Sequence, residues 1–109
     1  MTQTPIPVAT LAALPGKQIA EVRGLARGCS TRSAMLSDDL VATMKNVVGG
    51  EIPEYTKIMA ESREEALDRM VEHALSMGAN AVLAVRFCTT EIAGGAAEMM
   101  AYGTAVILH

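Results

Sequence analysis

A long amphipathic helix is the clearest element in the amino-acid sequence. From residue 52 to residue 77, apolar side chains recur every three or four positions between charged ones, which is the period of a helix with one buried face. Pro53 suits the first turn, where its missing N–H is no loss, and Gly78 suits the end of the helix. The apolar stripe comprises Ile52, Tyr55, Met59, Ala66, Met70, Ala74 and Met77. The pattern predicts a helix of about seven turns.

Three further segments have the pattern of β-strands. Residues 18–27 alternate with one mixed face, which fits an inner strand of a small sheet or a strand that faces polar groups of a partner. Residues 81–92 are apolar on both faces in their first half, and strict alternation places Arg86 and Cys88 on the same face as Val82. A Gly-Gly pair at 94–95 predicts a hairpin turn, and residues 98–108 form the return strand.

A shorter helix is predicted at 37–50. Ser37 can cap its start, and Asp38 and Asp39 lie at the positive end of the helix dipole. A pair of glycines at 49–50 then ends it. The order strand, helix, long helix, strand, strand predicts an α+β fold in two layers, with the long helix packed on a small antiparallel sheet.

Residues 1–16 are expected to form an extended N-terminal arm. Pro5, Pro7 and Pro15 each fix φ and remove an N–H donor, so no helix runs through this segment. Its apolar stretch at 8–14 allows the arm to dock on the rest of the chain, and the alternative is a disordered terminus. With 109 residues in all, the remainder, 17–109, is predicted to be a single domain.

Charge and cysteine usage restrict the partners and the compartment. The net charge of −3 argues against the basic surface of a nucleic-acid-binding protein and against a polybasic membrane patch. Two cysteines do not make the disulfide framework of a small secreted domain. The first residues lack a cationic start, and no apolar run approaches the length of a transmembrane helix. We therefore expect a cytoplasmic protein with no nucleic-acid or membrane partner.

The apolar content points to self-association. Half of the residues are hydrophobic, yet only 3% are aromatic, eight are methionine and none is tryptophan. One helix layer can cover one face of the sheet, and the segment at 81–85 is apolar on both faces. We expect a second copy of the chain to cover the other face, with Val85 or Val106 at the contact. The alternative is a well-covered monomer.

Several segments resemble the YbjQ-like family of small bacterial proteins. They are VVGG at 47–50, the long charged helix, MGANAV at 77–82 and GTAV at 103–106, and with the first strand the resemblance covers roughly residues 17–108. None of these motifs contains a set of catalytic or metal-binding residues. The family is catalogued as uncharacterised, with the label "putative heavy-metal-binding domain". The resemblance implies a dodecin-like β-α-β-β subunit that assembles into rings, typically pentamers, and it assigns no activity and no cofactor.

Metal binding is the sharpest chemical hypothesis, because thiolates and thioethers select soft ions. The available donors are Cys29, Cys88, Met99, Met100, His73 and His109. No CxxC or HxxH spacing is present, so Cys29 and Cys88 can meet only through tertiary or ring contacts. Met99 and Met100 face opposite ways in a strand and cannot both hold one ion. In the alternative interpretation Cys88 packs as a small hydrophobe and Cys29 is incidental. We expect less than one metal ion per purified chain.

Arg86 interrupts an apolar strand face, so it must be paired or in contact with water. It is expected either to form a salt bridge between subunits, with Glu21 or Glu98, or to bind an anion in a pore or pocket. An enzyme would need a convergent cluster, for which Arg23 and Glu91 are further candidates. Nucleophile and phosphate-binding motifs are absent from the sequence.

A dodecin-like architecture also raises flavin binding by analogy. The chain has no tryptophan to stack on a flavin ring, and its strand aromatics are Phe87 and Tyr102. Three hypotheses result: a non-enzymatic homo-oligomer that binds a small ligand or partner, a soft-metal-binding protein that uses dispersed cysteines, and an enzyme of unknown reaction.

Overall fold

One helix and three strands make up the described part of the chain. The computed structural model describes residues 5–30, 53–92 and 96–109. In chain order the elements are β1 (Ile19–Cys29), α1 (Pro53–Ser76), β2 (Ala81–Ile92) and β3 (Ala96–Leu108). The α+β class and the β-α-β-β order are confirmed. The predicted helix at 37–50 and the Gly-Gly turn at 94–95 lie outside the described residues.

The three strands form one antiparallel sheet in the order β1-β3-β2. β3 pairs with β1 on one side and with β2 on the other. Among the described strands β1 therefore lies at an edge of the sheet, and the inner position considered for it does not hold within that set. The reason is topological: β2 and β3 are consecutive strands that pair directly, which leaves the free side of β3 to receive β1.

α1 packs on one face of the sheet through small residues. Ala66 and Ala74 of the helix and Ala26 of β1 are fully buried, and Met70 fills the space among them. The contact is closest at Gly28, where an added Cβ would lie 2.5 Å from the carbonyl oxygen of Ala66 and closer still to the Met70 nitrogen. The helix backbone thus rests directly on β1. The apolar stripe predicted for the helix forms this core from residue 59 onward.

A β-bulge in β2 changes which side chains face the helix. Ala84 and Val85 together lie opposite Gly103, and Ala84 has a φ of 53°. Val85 consequently returns to the helix side, where it is 3% exposed and packs in the same cluster as Val82. Beyond the bulge Arg86 shares a face with Leu83 instead of Val82. The strict alternation predicted for β2 is therefore wrong after residue 83, because a bulge inserts one extra residue.

The N-terminal arm is docked on the outer edge of β2. Val8 and Val82 form a parallel bridge, in which the Ala9 N–H donates to the Val82 carbonyl at 3.0 Å. The N–H of Ala84 donates to the Leu11 carbonyl at 2.8 Å. The bulge thus directs backbone donors of β2 toward the arm. Residues 5–14 of the arm are therefore docked on the sheet. The boundary at residue 17 between the arm and the domain stays a prediction.

A second apolar cluster lies on the sheet face opposite α1, which we call the outer face. Val106 and Leu83 are 1% and 2% exposed there, under the arm residues Ala9 and Leu14. The expectation that this part of the face is left for another chain is wrong, because the arm of the same chain covers it. Val106 is buried within its own chain, and so is Val85 on the helix side. Neither is available as a subunit contact.

Candidate metal-binding site

Three sulfur-bearing side chains form a row across the outer face of the sheet. Met100 of β3 is the register partner of Cys29 in β1 and of Cys88 in β2. Residues directly opposite one another on neighbouring strands point to the same side of a sheet. The sequence analysis expected the cysteines to meet only through tertiary contacts, and the pairing of both strands with β3 is such a contact. We call these three residues the thiol row.

The burial of β3 fixes the side on which the row lies. Met99 is 8% exposed and packs in the cluster beneath α1. Met100, its neighbour in the strand, points the opposite way. This is also the side of Val106, which packs under the arm. The prediction that the two methionines cannot hold one ion together is confirmed, and Met100 is the one that joins the cysteines.

Both cysteines carry free thiols, and Cys29 is exposed whereas Cys88 is half-buried. Since neighbouring strands are about 4.8 Å apart, two strand spacings separate the Cα atoms by roughly 10 Å. Disulfide-bonded cysteines need Cα atoms about 4.4–6.8 Å apart. An internal disulfide between Cys29 and Cys88 would therefore require β3 to leave the sheet. The two thiols of the row therefore cannot be joined to each other as a disulfide.

A second row runs beside the thiol row on the outer face. Tyr102 of β3 is the register partner of Arg27 in β1 and of Arg86 in β2. The Nη1 atom of Arg86 donates to the carbonyls of Thr10 at 3.1 Å and Val85 at 2.9 Å. Among the described residues no carboxylate forms an ion pair with either arginine. We call Arg27, Tyr102 and Arg86 the arginine row.

The two histidines lie away from the sulfur donors. His73 is in the last turn of α1, on the helix side of the sheet, and its Nδ1 accepts a hydrogen bond from the Arg27 N–H at 3.1 Å. His109 follows β3 at the end opposite Met100, where its backbone pairs with Gln18. Of the six donors named from the sequence, the structure therefore brings together three.

The acidic and basic residues considered for catalysis do not converge. Glu21 forms an ion pair with Arg23 at 2.7 Å, and the Arg23 Nε donates to the carbonyl of Met77 at the end of α1. Glu98 lies in register with Thr90 at the far end of the β2–β3 pair, and Glu91 follows it there. Within the described residues, no three side chains of the Cys, His, Asp and Glu types are placed to hold a metal ion together.

The two described strand aromatics, Phe87 and Tyr102, do not form a stacking platform. Phe87 is the register partner of Ala101, which is fully buried beneath α1, so Phe87 points to the helix side of the sheet. Tyr102 belongs to the outer face. A flavin ring could contact one of them but not both, so this geometry gives the flavin analogy no support.

The fold places the chain among small α+β proteins in which one long helix covers a three-stranded antiparallel sheet. Residues 6–109 match the family model YbjQ_1, described as "Putative heavy-metal-binding". The chain belongs to this family, as the resemblance in the sequence implied.

Relatives named UPF0145 protein cover most of the chain. The one from Pyrococcus furiosus is 52% identical over 102 residues, which are 94% of this chain and 90% of the relative. Another from Thermus thermophilus is 50% identical, also over 94% of this chain and 90% of the relative. A relative from Clostridium perfringens is 48% identical over 92% of this chain and 94% of its own length. Because archaeal relatives stand beside bacterial ones, the expected restriction to bacteria is too narrow.

A solved structure supports the fold. A protein of unknown function from Pediococcus pentosaceus, assigned to the DUF74 family, superposes with a TM-score of 0.59 over 95% of this chain and 98% of its own. It is 13% identical in sequence, so the likeness concerns the fold alone. Within the described residues, no helix combines the length and the apolar character that a membrane crossing requires.

Proposed function

We propose that the chain is a non-enzymatic, self-associating module that binds a soft metal ion on the thiol row, between Met100 and one of the two flanking cysteines, Cys29 or Cys88. One observation carries the metal proposal: the strand register aligns two thiols and a thioether on the outer face of the sheet. Thiolate and thioether ligands select soft ions such as Cu(I) over Mg²⁺ or Ca²⁺. The family description names a heavy metal without a site, and the thiol row has donors of the fitting kind.

The number of donors favours Cu(I) over Zn²⁺. Structural zinc sites are tetrahedral and are closed by four protein ligands, whereas the row offers three sulfur atoms. Each cysteine lies one strand spacing, about 4.8 Å, from Met100, whereas the two cysteines are too far apart to bond the same ion. Met100 and one thiolate therefore form a two-sulfur site, which suits Cu(I). The protein supplies the ligands and their spacing, and no chemical step is required of it.

The state of the thiols supports a cytoplasmic location. Cys29 and Cys88 are free thiols and are two strands apart, so they do not form a disulfide with each other. They can bind a metal ion only while they stay reduced. Cytosolic thiols are kept reduced by glutathione and thioredoxin. A soft-metal site of this kind is therefore suited to the cytoplasm.

The metal proposal is tested by titrating untagged, reduced protein with Cu(I) in competition with a chromophoric Cu(I) chelator. We expect one ion per chain. The double substitution C29S/C88S should weaken binding by more than the roughly 10–100-fold that loss of an outer-shell partner costs, and Met100→Leu should weaken it as well. The single variants Cys29→Ser and Cys88→Ser show which thiol is used. Met99→Leu is the matched control, because it removes the neighbouring thioether on the helix side, and it should leave the affinity unchanged.

Two results would contradict the metal proposal. One is a wild-type protein that takes up no Cu(I) against the chelator. The other is an affinity that C29S/C88S leaves intact, since the ion would then lie elsewhere. Circular dichroism of each variant checks that the fold is retained, so that a loss of binding can be assigned to the lost donor.

Self-association is proposed through β1. Among the described strands β1 lies at an edge of the sheet, and an edge strand is a template for pairing with another chain wherever its backbone groups have no partner. Near the end of β1 the edge is already occupied, because the Arg27 N–H donates to His73 Nδ1. The β1 side chains Ile19, Val22 and Leu25 are 45%, 62% and 56% exposed. Because about half of each side chain is already buried, covering the rest contributes roughly 2–5 kcal/mol, at the lower end of the about 4–15 kcal/mol that association costs. Backbone pairing along the edge would add to this. The resemblance makes a ring of five the expected closure.

Light scattering coupled to size exclusion at micromolar concentration tests the assembly. We expect a mass close to five times 11.5 kDa. Val22→Lys and Leu25→Lys should lower that mass, whereas Leu75→Lys, at an exposed apolar position on α1, serves as the matched control. A wild-type mass near 11.5 kDa would refute self-association, and a mass of two chains would refute the ring.

A further inference from the structure

The exposed apolar side chains lie mainly at the two edges of the sheet. Among the described residues, six large hydrophobic side chains are exposed: Leu11, Ile19, Val22, Leu25, Leu75 and Phe87. Three belong to β1 and one to β2, and the Leu11 carbonyl of the arm accepts a hydrogen bond from β2. β1 and β2 are the outermost described strands of the sheet. Scattered exposed hydrophobic residues are common, but five of six at two opposite edges indicate two contact surfaces.

The arm covers only part of the outer edge of β2. The N–H groups of Ala84 and Val85 donate to arm carbonyls at 2.8 and 3.0 Å. Backbone groups alternate in direction along a strand, and β2 pairs regularly with β3 from Arg86 onward. The N–H and C=O of Phe87 and Thr89 therefore point to the same edge as those of Val85. No residue in the described ranges bonds to them there, so this part of the edge is open to another chain.

Within the described chain, α1 leaves the helix side of β2 uncovered at Phe87. The helix packs on β1 and β3 and scarcely reaches β2, and its backbone rests on β1 at Gly28. Phe87 points to the helix side and is 42% exposed. A second chain whose β1 continued the sheet beyond β2 would bring its own α1 over Phe87. Because α1 is offset toward β1, β2 keeps the space that a neighbour's helix would fill.

We propose that the outer edge of β2, from Phe87 onward, binds β1 of a second copy of this chain, so that the copies join head to tail. The inference rests on the proposed self-association and names the surface that β1 meets. Two β1 strands paired with each other would form an isologous contact that closes at two chains, whereas a ring needs two different surfaces on each chain. β1 and β2 each pair antiparallel with β3, so a sheet continued in this way pairs them in parallel, as the arm already pairs with β2.

The first half of β1 is the part available for this pairing. Further along the strand, His73 of α1 accepts a hydrogen bond from the Arg27 N–H. Arg69 of α1 donates to the Cys29 carbonyl at 3.4 Å. The backbone groups of residues 19–25 on this edge have no partner within the described ranges. An unpaired strand edge of this kind binds an added strand through main-chain hydrogen bonds.

The apolar side chains at the two edges match by face. Val22 is the register partner of Val106, so Val22 and Leu25 lie on the outer face of the sheet. Leu11 is the last arm residue bonded to β2, and the arm beyond it packs on this same face. In a head-to-tail contact, the neighbour's Val22 and Leu25 therefore adjoin Leu11 on the outer face. Phe87 adjoins the neighbour's α1 on the other face, so one contact covers both apolar groups.

Light scattering coupled to size exclusion, applied to two variants and to their mixture, tests the head-to-tail contact. L11K/F87K alters the β2 edge and V22K/L25K alters β1, and we expect each alone to have the mass of one chain, 11.5 kDa. In an equimolar mixture the first variant supplies an intact β1 and the second an intact β2 edge, so one junction forms and the mass should double. L75K, at the exposed leucine of α1, is the matched control and should keep the wild-type mass. Circular dichroism checks the fold of each variant.

A backbone variant tests the same edge without altering its apolar side chains. Thr89→Pro removes an N–H that points away from β3, where an edge strand tolerates proline, and it should lower the assembled mass. If L11K/F87K and Thr89→Pro keep the wild-type mass, or if the mixture stays at the mass of one chain, the head-to-tail contact is wrong and self-association through β1 stands. A wild-type mass of one chain would instead overturn self-association itself, and this contact with it.

Discussion

The closest contact in the fold makes Gly28→Ala the most informative stability variant. An alanine Cβ at this position would lie 2.5 Å from the Ala66 carbonyl oxygen and closer still to the Met70 nitrogen, whereas ordinary contacts of a Cβ are 3.4–4 Å. Both neighbours are backbone atoms of α1, so no side chain can rotate away to make room. The helix must move off β1 by about 1 Å, and a gap of that size forfeits a quarter to a half of each dispersion contact it opens.

The expected loss follows from that displacement. Extra methyl groups in well-packed cores typically cost about 1–3 kcal/mol. We take the upper end, about 3 kcal/mol, because the fully buried Ala66, Met70 and Ala74 all move with the helix. With a urea dependence of about 1.5 kcal/mol per molar, the midpoint of unfolding should fall by about 2 M. At roughly 4 °C per kcal/mol for a chain of this size, the melting temperature should fall by about 12 °C.

Urea unfolding followed by circular dichroism measures this loss, at one fixed protein concentration because assembly would add to the apparent stability. The matched control is Gly16→Ala. No atom lies within 4 Å of an added Cβ there, and φ is +75°, so only the left-handed backbone conformation is penalised, by about 1–2 kcal/mol. If Gly28→Ala costs no more than Gly16→Ala, the helix does not rest on β1 as described.

Three further predictions concern the core, the arm and nucleic acid. Met70→Ala should lower the free energy of unfolding by about 2–5 kcal/mol, since the side chain is fully buried; a loss below 1 kcal/mol in urea unfolding would contradict this. Removal of residues 1–14 should expose Leu83 and Val106 and raise binding of a hydrophobic dye; unchanged dye fluorescence would show that the arm does not cover them. Duplex DNA should bind no better than a neutral polymer at physiological salt, measured by fluorescence anisotropy, given the charge of −3.

Elements that depend on local pattern could be predicted from the sequence. The long helix was expected to begin at Pro53 and does so, because its apolar period, its charged face and Gly78 all agree. The strand at 81–92 also has the predicted bounds. In each case one short stretch of chain contains the whole signal, so no knowledge of distant residues is needed.

The thiol row could not be predicted in the same way, because it depends on register between distant strands. Nothing within a few residues of Cys29 or Cys88 indicates that β3 lies between their strands with Met100 opposite both. The bulge at Ala84 and Val85 adds to the difficulty, since it reverses the face of every later residue in β2. The bulge is accounted for only by a tertiary contact, because the backbone N–H groups of Ala84 and Val85 both donate to carbonyls of the arm.

The docked arm has a consequence for the order in which the chain folds. During synthesis the arm leaves the ribosome well before the strand edge that receives it, around Val82. Loop-closure entropy opposes contacts between such distant segments until the intervening chain has folded. The sheet and its helix therefore have to assemble before the first residues find their place. During that interval Leu83 and Val106 are uncovered. An extension added before the arm would compete with the arm for this apolar patch.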